Sequence, residues 1–203
     1  MFYKGDQERG GMKTMMSRVI AVLTTLLLTW PVAVQAFDKD DMRRFIETRS
    51  CRRCDLSNAD LQWQDLKRAD LVGANLNSSN LIGADLTRAS LRGAKLEKTR
   101  MEQVDLGAAN LEGASLKGAD LEGAILTRAR LANSVLSKAN LKRADLEDAY
   151  LKGSEAFWTD FSNANLTRAN MYEVTIIGAK FKGAEIHGLK VEPKQLKKIE
   201  ELR

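Results

Sequence analysis

Residues 69–96, which read ADLVGANLNSSNLIGADLTRASLRGAKL, contain the five-residue repeat that decides the fold. From Leu56 to Val191 every fifth residue is large and apolar except Ala156, and twenty of these twenty-eight positions are Leu. Two residues before each of them lies a second regular position, which is Ala in eighteen of twenty-eight cases. We call these two sets the leucine sites and the small sites. Because internal repeats take precedence over local predictions, this period determines the architecture.

A period of five fits neither an α-helix, with a period of about 3.6, nor a flat strand, with a period of about 2. Residues two apart in an extended segment point to the same side, so a small site and the next leucine site face inward together. The chain must then turn a corner. Ten of the residues directly before a small site are Gly, which suits a corner with positive φ. Four corners would close a square of twenty residues.

Many repeats read A-D-L-x-x or A-N-L-x-x, as at residues 59–61, 69–71, 139–141 and 144–146. This motif resembles the pentapeptide repeat family, and the resemblance covers Leu56 to Val191 without an insertion. It implies an all-β fold, a right-handed quadrilateral β-helix in which Leu stacks on Leu. About seven coils would form a rod of roughly 34 Å at ~4.8 Å per stacked strand.

Residues 1–36 have the features of a secretory signal peptide. Arg18 precedes an apolar run from Val19 to Leu28, and Ala36 ends a segment with small residues at the usual cleavage spacing. We expect cleavage after Ala36 and translation from Met12. The mature protein is then exported, to the periplasm or the medium, or to the thylakoid lumen if the source is cyanobacterial. The apolar run is short for a membrane span, although a retained anchor is the alternative.

Two short helices are predicted to flank the repeat block at 51–191. Residues 37–50 begin with Asp38, a helix-capping residue type, ahead of an apolar stripe. Residues 192–203 place Pro193 at a first helical position, again ahead of apolar residues. We expect both helices to cover the open ends of the stack, because uncovered strand edges invite end-to-end association.

The charge of the repeat block is balanced, which excludes one class of function. The chain has a net charge of +5, and removing the four basic and two acidic residues of 1–36 leaves +3. Residues 55–191 contain 18 basic and 18 acidic residues. The best-known role in the family that this chain resembles is mimicry of DNA, which protects DNA gyrase and requires an anionic rod. A neutral, exported rod does not fit that role, and no basic stripe favours nucleic-acid binding.

Two charged columns emerge when residues are projected onto four faces of twenty-residue coils. Residues that share a column are twenty or forty positions apart, and the columns contain Arg68, Arg88, Arg128 and Arg168, beside Asp65, Asp85, Asp105 and Asp145. The functional interpretation is a charged docking face. The alternative is a solvated surface in which Asp and Arg of neighbouring coils neutralise one another, with little energy per pair.

Cys51 and Cys54 form the only C-x-x-C motif and are the only cysteines. Extended backwards, the five-residue lattice places both side chains inward at the first coil. One interpretation is a disulfide or thiol pair that braces the start of the rod, as suits an oxidising compartment. A thiol-redox centre, a zinc site and haem attachment are the alternatives. A redox centre needs a thioredoxin-like context, a zinc site needs two more ligands, and haem attachment needs a His at the position of Asp55. The motif C-x-x-C-D-L resembles the entry to the β-helix in exported members of the family.

The five-residue pattern is interrupted at Ala156, where a small residue occupies a leucine site. Phe157 and Trp158 would then face solvent, and with Ile177 one coil above they would form an apolar patch of the kind that marks interaction sites. The alternative is a local bulge that lets Phe157 swing inward. From Phe161 onward the core is bulkier, which suits self-association through the C-terminal coils, as the family resemblance implies. The alternative is that the predicted C-terminal helix blocks it.

We predict no enzymatic activity, because a smooth stack without insertions offers no concave site with convergent titratable groups. We predict neither a catalytic or metal site nor a cofactor. The leading hypothesis is an exported scaffold that binds an unidentified protein or envelope component. A secreted effector acting on a host target, and thiol-redox chemistry at the cysteine pair, are the alternative hypotheses.

Overall fold

The computed structural model describes residues 37–202. The predicted signal peptide at 1–36 and its cleavage after Ala36 lie outside the described residues. Helix α1 spans Lys39–Thr48 and helix α2 spans Pro193–Glu201. Between them the chain forms parallel β-bridges, which recur every five residues from Ser50 to Lys190.

The bridges define the register of the stack. All 25 of them join a residue to the residue twenty positions later, and all are parallel. In a typical segment the Leu86 N–H donates to the Asp105 carbonyl at 2.7 Å, and the Arg88 N–H donates to the Gly107 carbonyl at 2.9 Å. In the opposite direction, the Asp105 N–H donates to the Ala84 carbonyl at 3.0 Å. Four five-residue segments therefore separate each residue from the layer on which it stacks.

The leucine sites and the small sites form the core. Every leucine site is buried except Ile186, and every small site is buried except Gln64; these two are half-buried. Phe161 and Phe181, twenty residues apart, stack with ring centroids 5.2 Å apart and an interplanar angle of 11°. Each buried Leu contributes about 1.5–3 kcal/mol relative to an exposed one. The inward-facing positions predicted from the five-residue period are therefore confirmed.

The corners are more uniform than the glycine pattern predicts. All twenty-eight residues that directly precede a small site have positive φ, and eighteen of them are not Gly. Arg68 at φ 57° and Trp158 at φ 55° are examples. A non-glycine residue in this region costs on the order of 1–3 kcal/mol and persists only when its surroundings hold it there. The backbone hydrogen bonds to the next layer supply that constraint, so the corner does not require Gly.

The recurrent Asp or Asn between a small site and a leucine site has a structural role that the sequence analysis did not assign. The Asp105 carboxylate accepts a hydrogen bond from the Gly107 N–H at 2.8 Å, and Asp85 accepts one from the Thr87 N–H at 3.0 Å. The Asn110 side-chain oxygen accepts in the same way. Short polar side chains that bond their own backbone two residues on favour tight turns. The A-D/N-L motif therefore combines one core pair with one turn-forming residue.

The two helices pack on the ends of the repeat block. The Asp38 carboxylate caps α1 by accepting from the N–H groups of Asp40 and Asp41, and Met42 and Phe45 are buried. Helix α2 begins at Pro193 and buries Ile199 completely. Both elements therefore attach to the stack through an apolar contact.

Candidate interaction surfaces

The apolar patch predicted around Trp158 exists on the surface. Trp158 occupies a corner and is 58% exposed, and Ile177 is 56% exposed. Phe157 is half-buried, and its ring centroid lies 6.0 Å from that of Trp158. The indole lies so close to Gly178, one layer on, that a Cβ there would overlap it. We call Phe157, Trp158 and Ile177 the Trp158 patch.

The backbone under this patch is regular, so the alternative of a local bulge is wrong. The Ala156 N–H donates to the Thr175 carbonyl at 2.8 Å, and the Trp158 N–H donates to the Ile177 carbonyl at 2.9 Å. Glu155 keeps its bridge to Thr175. Ala156 is fully buried at its leucine site, and Phe157 stays at the corner.

A second exposed tryptophan, which the sequence analysis missed, has the same arrangement. Trp63 occupies a corner, is 65% exposed, and lies against Gly83 one layer on. Its N–H donates to the carbonyl of Ile82 at 2.9 Å, as that of Trp158 does to Ile177. The signal that could have revealed both is a corner Trp followed, nineteen and twenty residues later, by Ile-Gly. The two tryptophans differ in the residue before them, which is Gln62 for Trp63 and Phe157 for Trp158.

The arginine column is not neutralised by the aspartate column. Within residues 37–202, Arg68, Arg88 and Arg128 form no ion pair. Arg168 pairs with Asp148 at 2.9 Å and with Glu147, neither of which belongs to the aspartate column. Its hydrogen bonds to Asp148 first, and to Glu147 second, raise the pKa of Arg168 above its ordinary value. Neutralisation of Arg by an Asp of a neighbouring layer is therefore observed at Arg168 but not at the other three arginines, and it does not involve the aspartate column.

The aspartate column is held by other groups. Asp65 lies 3.7 Å from Arg49, and Asp85 lies 3.0 Å from the Lys67 ammonium. Asp105 and Asp145 accept backbone N–H groups, and Asp145 also accepts the side-chain amide of Asn165 at 3.0 Å. Partial burial opposes ionisation of Asp85, but hydrogen bonds from Thr87 and Lys67 outweigh it and lower its pKa. These carboxylates are therefore engaged within the rod, whereas Arg68, Arg88 and Arg128 form no ion pair among residues 37–202.

Cys51 and Cys54 are joined by a disulfide, with Cα atoms 5.4 Å apart. Both residues are buried where α1 meets the first layer. The Cys51 N–H donates to the Asp70 carbonyl at 2.7 Å, and the Asp55 N–H donates to the Asp41 carboxylate at 2.8 Å. In the part of the chain that the structure describes, no cluster of His, Cys, Asp and Glu could hold a metal ion. The position of the pair favours a structural brace.

A cavity of about 610 Å³ opens beside α2. Its lining includes Ile186, His187 and Leu189 from the last layer, and Leu196 and Glu200 from α2. The lone histidine has no second imidazole or thiol beside it in this lining. The cavity therefore resembles an incompletely covered end of the stack rather than a catalytic site.

Comparison with known proteins agrees with this geometry. The sequence matches the family described as Pentapeptide repeats, in eight copies, over residues 54–93, 84–123, 114–153 and 157–188, which is more than half of the chain. The chain belongs to the pentapeptide repeat family. No curated protein matches this pentapeptide repeat protein in sequence.

Among solved structures, it is similar to HetL, a pentapeptide repeat protein involved in heterocyst differentiation regulation from the cyanobacterium Nostoc sp. strain PCC 7120. The identity is 22%, the TM-score is 0.52, and the match covers 76% of this chain and 97% of HetL. It is also similar to QnrB1, a plasmid-mediated fluoroquinolone resistance protein, at 22% identity and a TM-score of 0.49, over 75% and 85% of the two chains. The likeness to HetL shows the fold alone. Residues 37–202 contain no helix with the length and apolarity that a membrane crossing requires.

Proposed function

We propose that this pentapeptide repeat protein is an exported, non-enzymatic scaffold that binds another protein or an envelope component through the Trp158 patch. The observation that carries the proposal is the exposure of Trp158 and Ile177 on an unbroken backbone. Neither side chain is needed to fill the core, because Ala156 already holds the leucine site. Neighbouring exposed aromatic and aliphatic side chains are typical of interaction sites.

The scaffold is a right-handed quadrilateral rod of about seven coils. Support for four sides comes from the register of the bridges, since each residue stacks on the one twenty positions later. Support for the handedness comes from membership of the family. A rod of this kind presents each face as a rigid, regular surface, which suits binding without rearrangement.

The rod's charge argues against nucleic-acid mimicry or binding. The 18 basic and 18 acidic residues of 55–191 cancel, whereas mimicry of DNA requires a strongly anionic surface. Arg68, Arg88 and Arg128 are spread over several layers and are a minor docking face for carboxylates. The partner is therefore expected to contact the rod by apolar burial first and charge second.

The test is a pair of matched substitutions in the full-length protein. Trp158→Ala removes the centre of the patch. Trp63→Ala removes a corner tryptophan of similar exposure, 65% against 58%, that lies over a glycine in the same way. Each protein is immobilised and used to capture envelope extracts, and captured material is identified by mass spectrometry. We expect a specific partner to be lost with Trp158→Ala and kept with Trp63→Ala. Equal capture by both variants would refute the assignment of the patch.

Export is tested separately. Fractionation of producing cells, with sequencing of the N-terminus of the recovered protein, should place it outside the cytoplasm and begin it at Phe37. Recovery in the medium would favour the effector hypothesis over the envelope scaffold. Recovery in the cytoplasm with residues 1–36 intact would overturn both.

A further inference from the structure

The last layer of the stack presents an unpaired backbone edge. In the interior, N–H groups at the leucine site and the corner donate to the next layer, and the small-site carbonyl accepts from it. In the last layer these groups point out of the stack. Within residues 37–202, hydrogen-bond partners are absent for the carbonyls of Ala179 and Ala184 and for the N–H groups of Ile176, Gly178, Phe181, Gly183, Ile186 and Gly188.

The first layer presents the opposite pattern. In the interior, each segment pairs with the preceding layer through two carbonyls and one N–H, as Asp105 and Gly107 do. In the first layer the corresponding backbone groups have no preceding layer to bond. The carbonyls of Ser57, Asp60 and Lys67 accept no hydrogen bond from any residue between 37 and 202. The N–H groups of Asp60 and Asp65 are likewise unpaired among the described atoms.

The two ends are therefore complementary to each other and not to themselves. Where no side chain or helix group occupies it, a side of the last layer presents two donors and one acceptor, and a side of the first layer presents two acceptors and one donor. The spacing equals that of the interior, where Leu86 and Arg88 donate and Ala84 accepts. Two last layers facing each other would oppose donors to donors. We infer that the partner of each end is the opposite end of a second copy of this chain, added head to tail as strands add to an exposed sheet edge.

The terminal helices control this association, because each occupies part of an end. At the last layer, the Glu192 carboxylate accepts from the Glu173 N–H at 2.8 Å, and the Gln195 amide donates to the Val174 carbonyl at 2.6 Å. These side chains replace two bonds of a missing layer. The cavity of about 610 Å³ beside α2 is lined by Ile186 and Gly188, whose N–H groups are among the unpaired donors.

At the first layer, the Asp38 N–H donates to the Asp55 carbonyl at 3.1 Å, and the Arg49 guanidinium donates to the Asp65 carbonyl at 2.8 Å. Association thus requires α2 to leave one copy and α1 to leave the other. A non-closing, head-to-tail contact of this kind elongates into filaments when both ends are open.

The polarity of the contact is tested with two full-length variants. Ile199→Glu charges the fully buried anchor of α2 and opens the last layer, and Phe45→Glu does the same for α1 and the first layer. Each variant alone has one open end, so light scattering should give the mass of a monomer. Mixed in equal amounts, they should double in mass, and a protein with both substitutions should grow beyond a dimer. Lys197→Glu, at an exposed position of α2, is the matched control and should stay monomeric in every mixture.

Three outcomes would overturn the inference. Doubling of Ile199→Glu alone would show association of two last layers, and doubling of Phe45→Glu alone would show association of two first layers. A monomeric mixture, with both helices shown to be released by limited proteolysis, would show that the open edges do not pair. If either substitution reduces the β-sheet circular dichroism, Ile199→Ala and Phe45→Ala are mixed instead, and the same three outcomes apply.

Discussion

Ser134→Ala should stabilise the protein, because the Ser134 hydroxyl is buried without a partner. Ser134 occupies a small site, is fully buried, and within residues 37–202 its hydroxyl has no hydrogen-bond partner. The same column holds Ala74, Ala94 and Ala114 in other layers, so Ala fits the site without a cavity. Thr159, at another small site, is the matched control, since its hydroxyl donates to the Leu136 carbonyl at 2.8 Å.

The magnitude follows from these contacts. A buried polar group without a partner costs about 1–3 kcal/mol, so Ser134→Ala should raise the free energy of unfolding by about 1 kcal/mol. Thr159→Val keeps the shape and removes the hydrogen bond, which is worth about 0.5–1.5 kcal/mol. The Leu136 carbonyl still accepts from the Ala139 N–H at 2.9 Å, so it is not orphaned and the loss should be near 1 kcal/mol. Each change corresponds to a shift of about 2–4 °C in Tm.

The assay is urea and thermal unfolding followed by circular dichroism, with both variants measured beside the unsubstituted protein. The prediction is a pair of opposite shifts, upward for Ser134→Ala and downward for Thr159→Val. A decrease for Ser134→Ala comparable to that for Thr159→Val would refute the reasoning, because it would show that the Ser134 hydroxyl contributes a hydrogen bond in solution.

Two other predictions concern a corner and an ion pair. Gly178→Ala should lower the free energy of unfolding by more than Gly93→Ala and should shift the tryptophan emission. Both substitutions place Ala at positive φ, which costs about 1–2 kcal/mol, but only at Gly178 would the added Cβ displace Trp158. Equal losses in thermal unfolding would contradict this. Burial opposes ionisation of Asp160, but hydrogen bonds and two lysines outweigh it and lower the pKa of this carboxyl below its ordinary value. The ionised Asp160 therefore stabilises the folded protein above about pH 4, and this contribution is lost as the pH falls through the lowered pKa. The stability of Asp160→Asn should therefore depend less on pH below about 4 than that of the unsubstituted protein, and an unchanged dependence would argue against the assignment.

The sequence predicts the inward face well because periodicity is a property of the whole chain. A small site and a leucine site recur together, and burial follows wherever the lattice continues, even where Ala156 replaces Leu. The corners are predicted less well, since Gly marks only ten of the twenty-eight. Arg68 and Trp63 adopt the same positive φ because the hydrogen bonds of neighbouring layers hold them, and those bonds exist only once the stack has formed.

Predicting the candidate sites requires knowing which residues of different layers lie side by side. The exposure of Trp158 followed from its place in the lattice, and the same rule would have identified Trp63. The pairing of Arg168 with Asp148 and Glu147 did not follow from the repeat. Asp148 lies in the arginine column itself, twenty residues before Arg168, but the period does not indicate which of the neighbouring carboxylates a guanidinium contacts. The covering of the last layer by the Glu192 side chain also required the structure, since a carboxylate replaces a backbone carbonyl there.

The register of the stack is tested most directly by through-hydrogen-bond scalar couplings in NMR, which join an amide nitrogen to the carbonyl carbon that accepts its proton. The Leu86 nitrogen should couple to the Asp105 carbonyl carbon, and the Arg88 nitrogen to that of Gly107, nineteen residues later in each case. Couplings from these nitrogens to carbonyls four residues earlier, as in an α-helix, or at any other constant separation, would contradict the stacked twenty-residue layers.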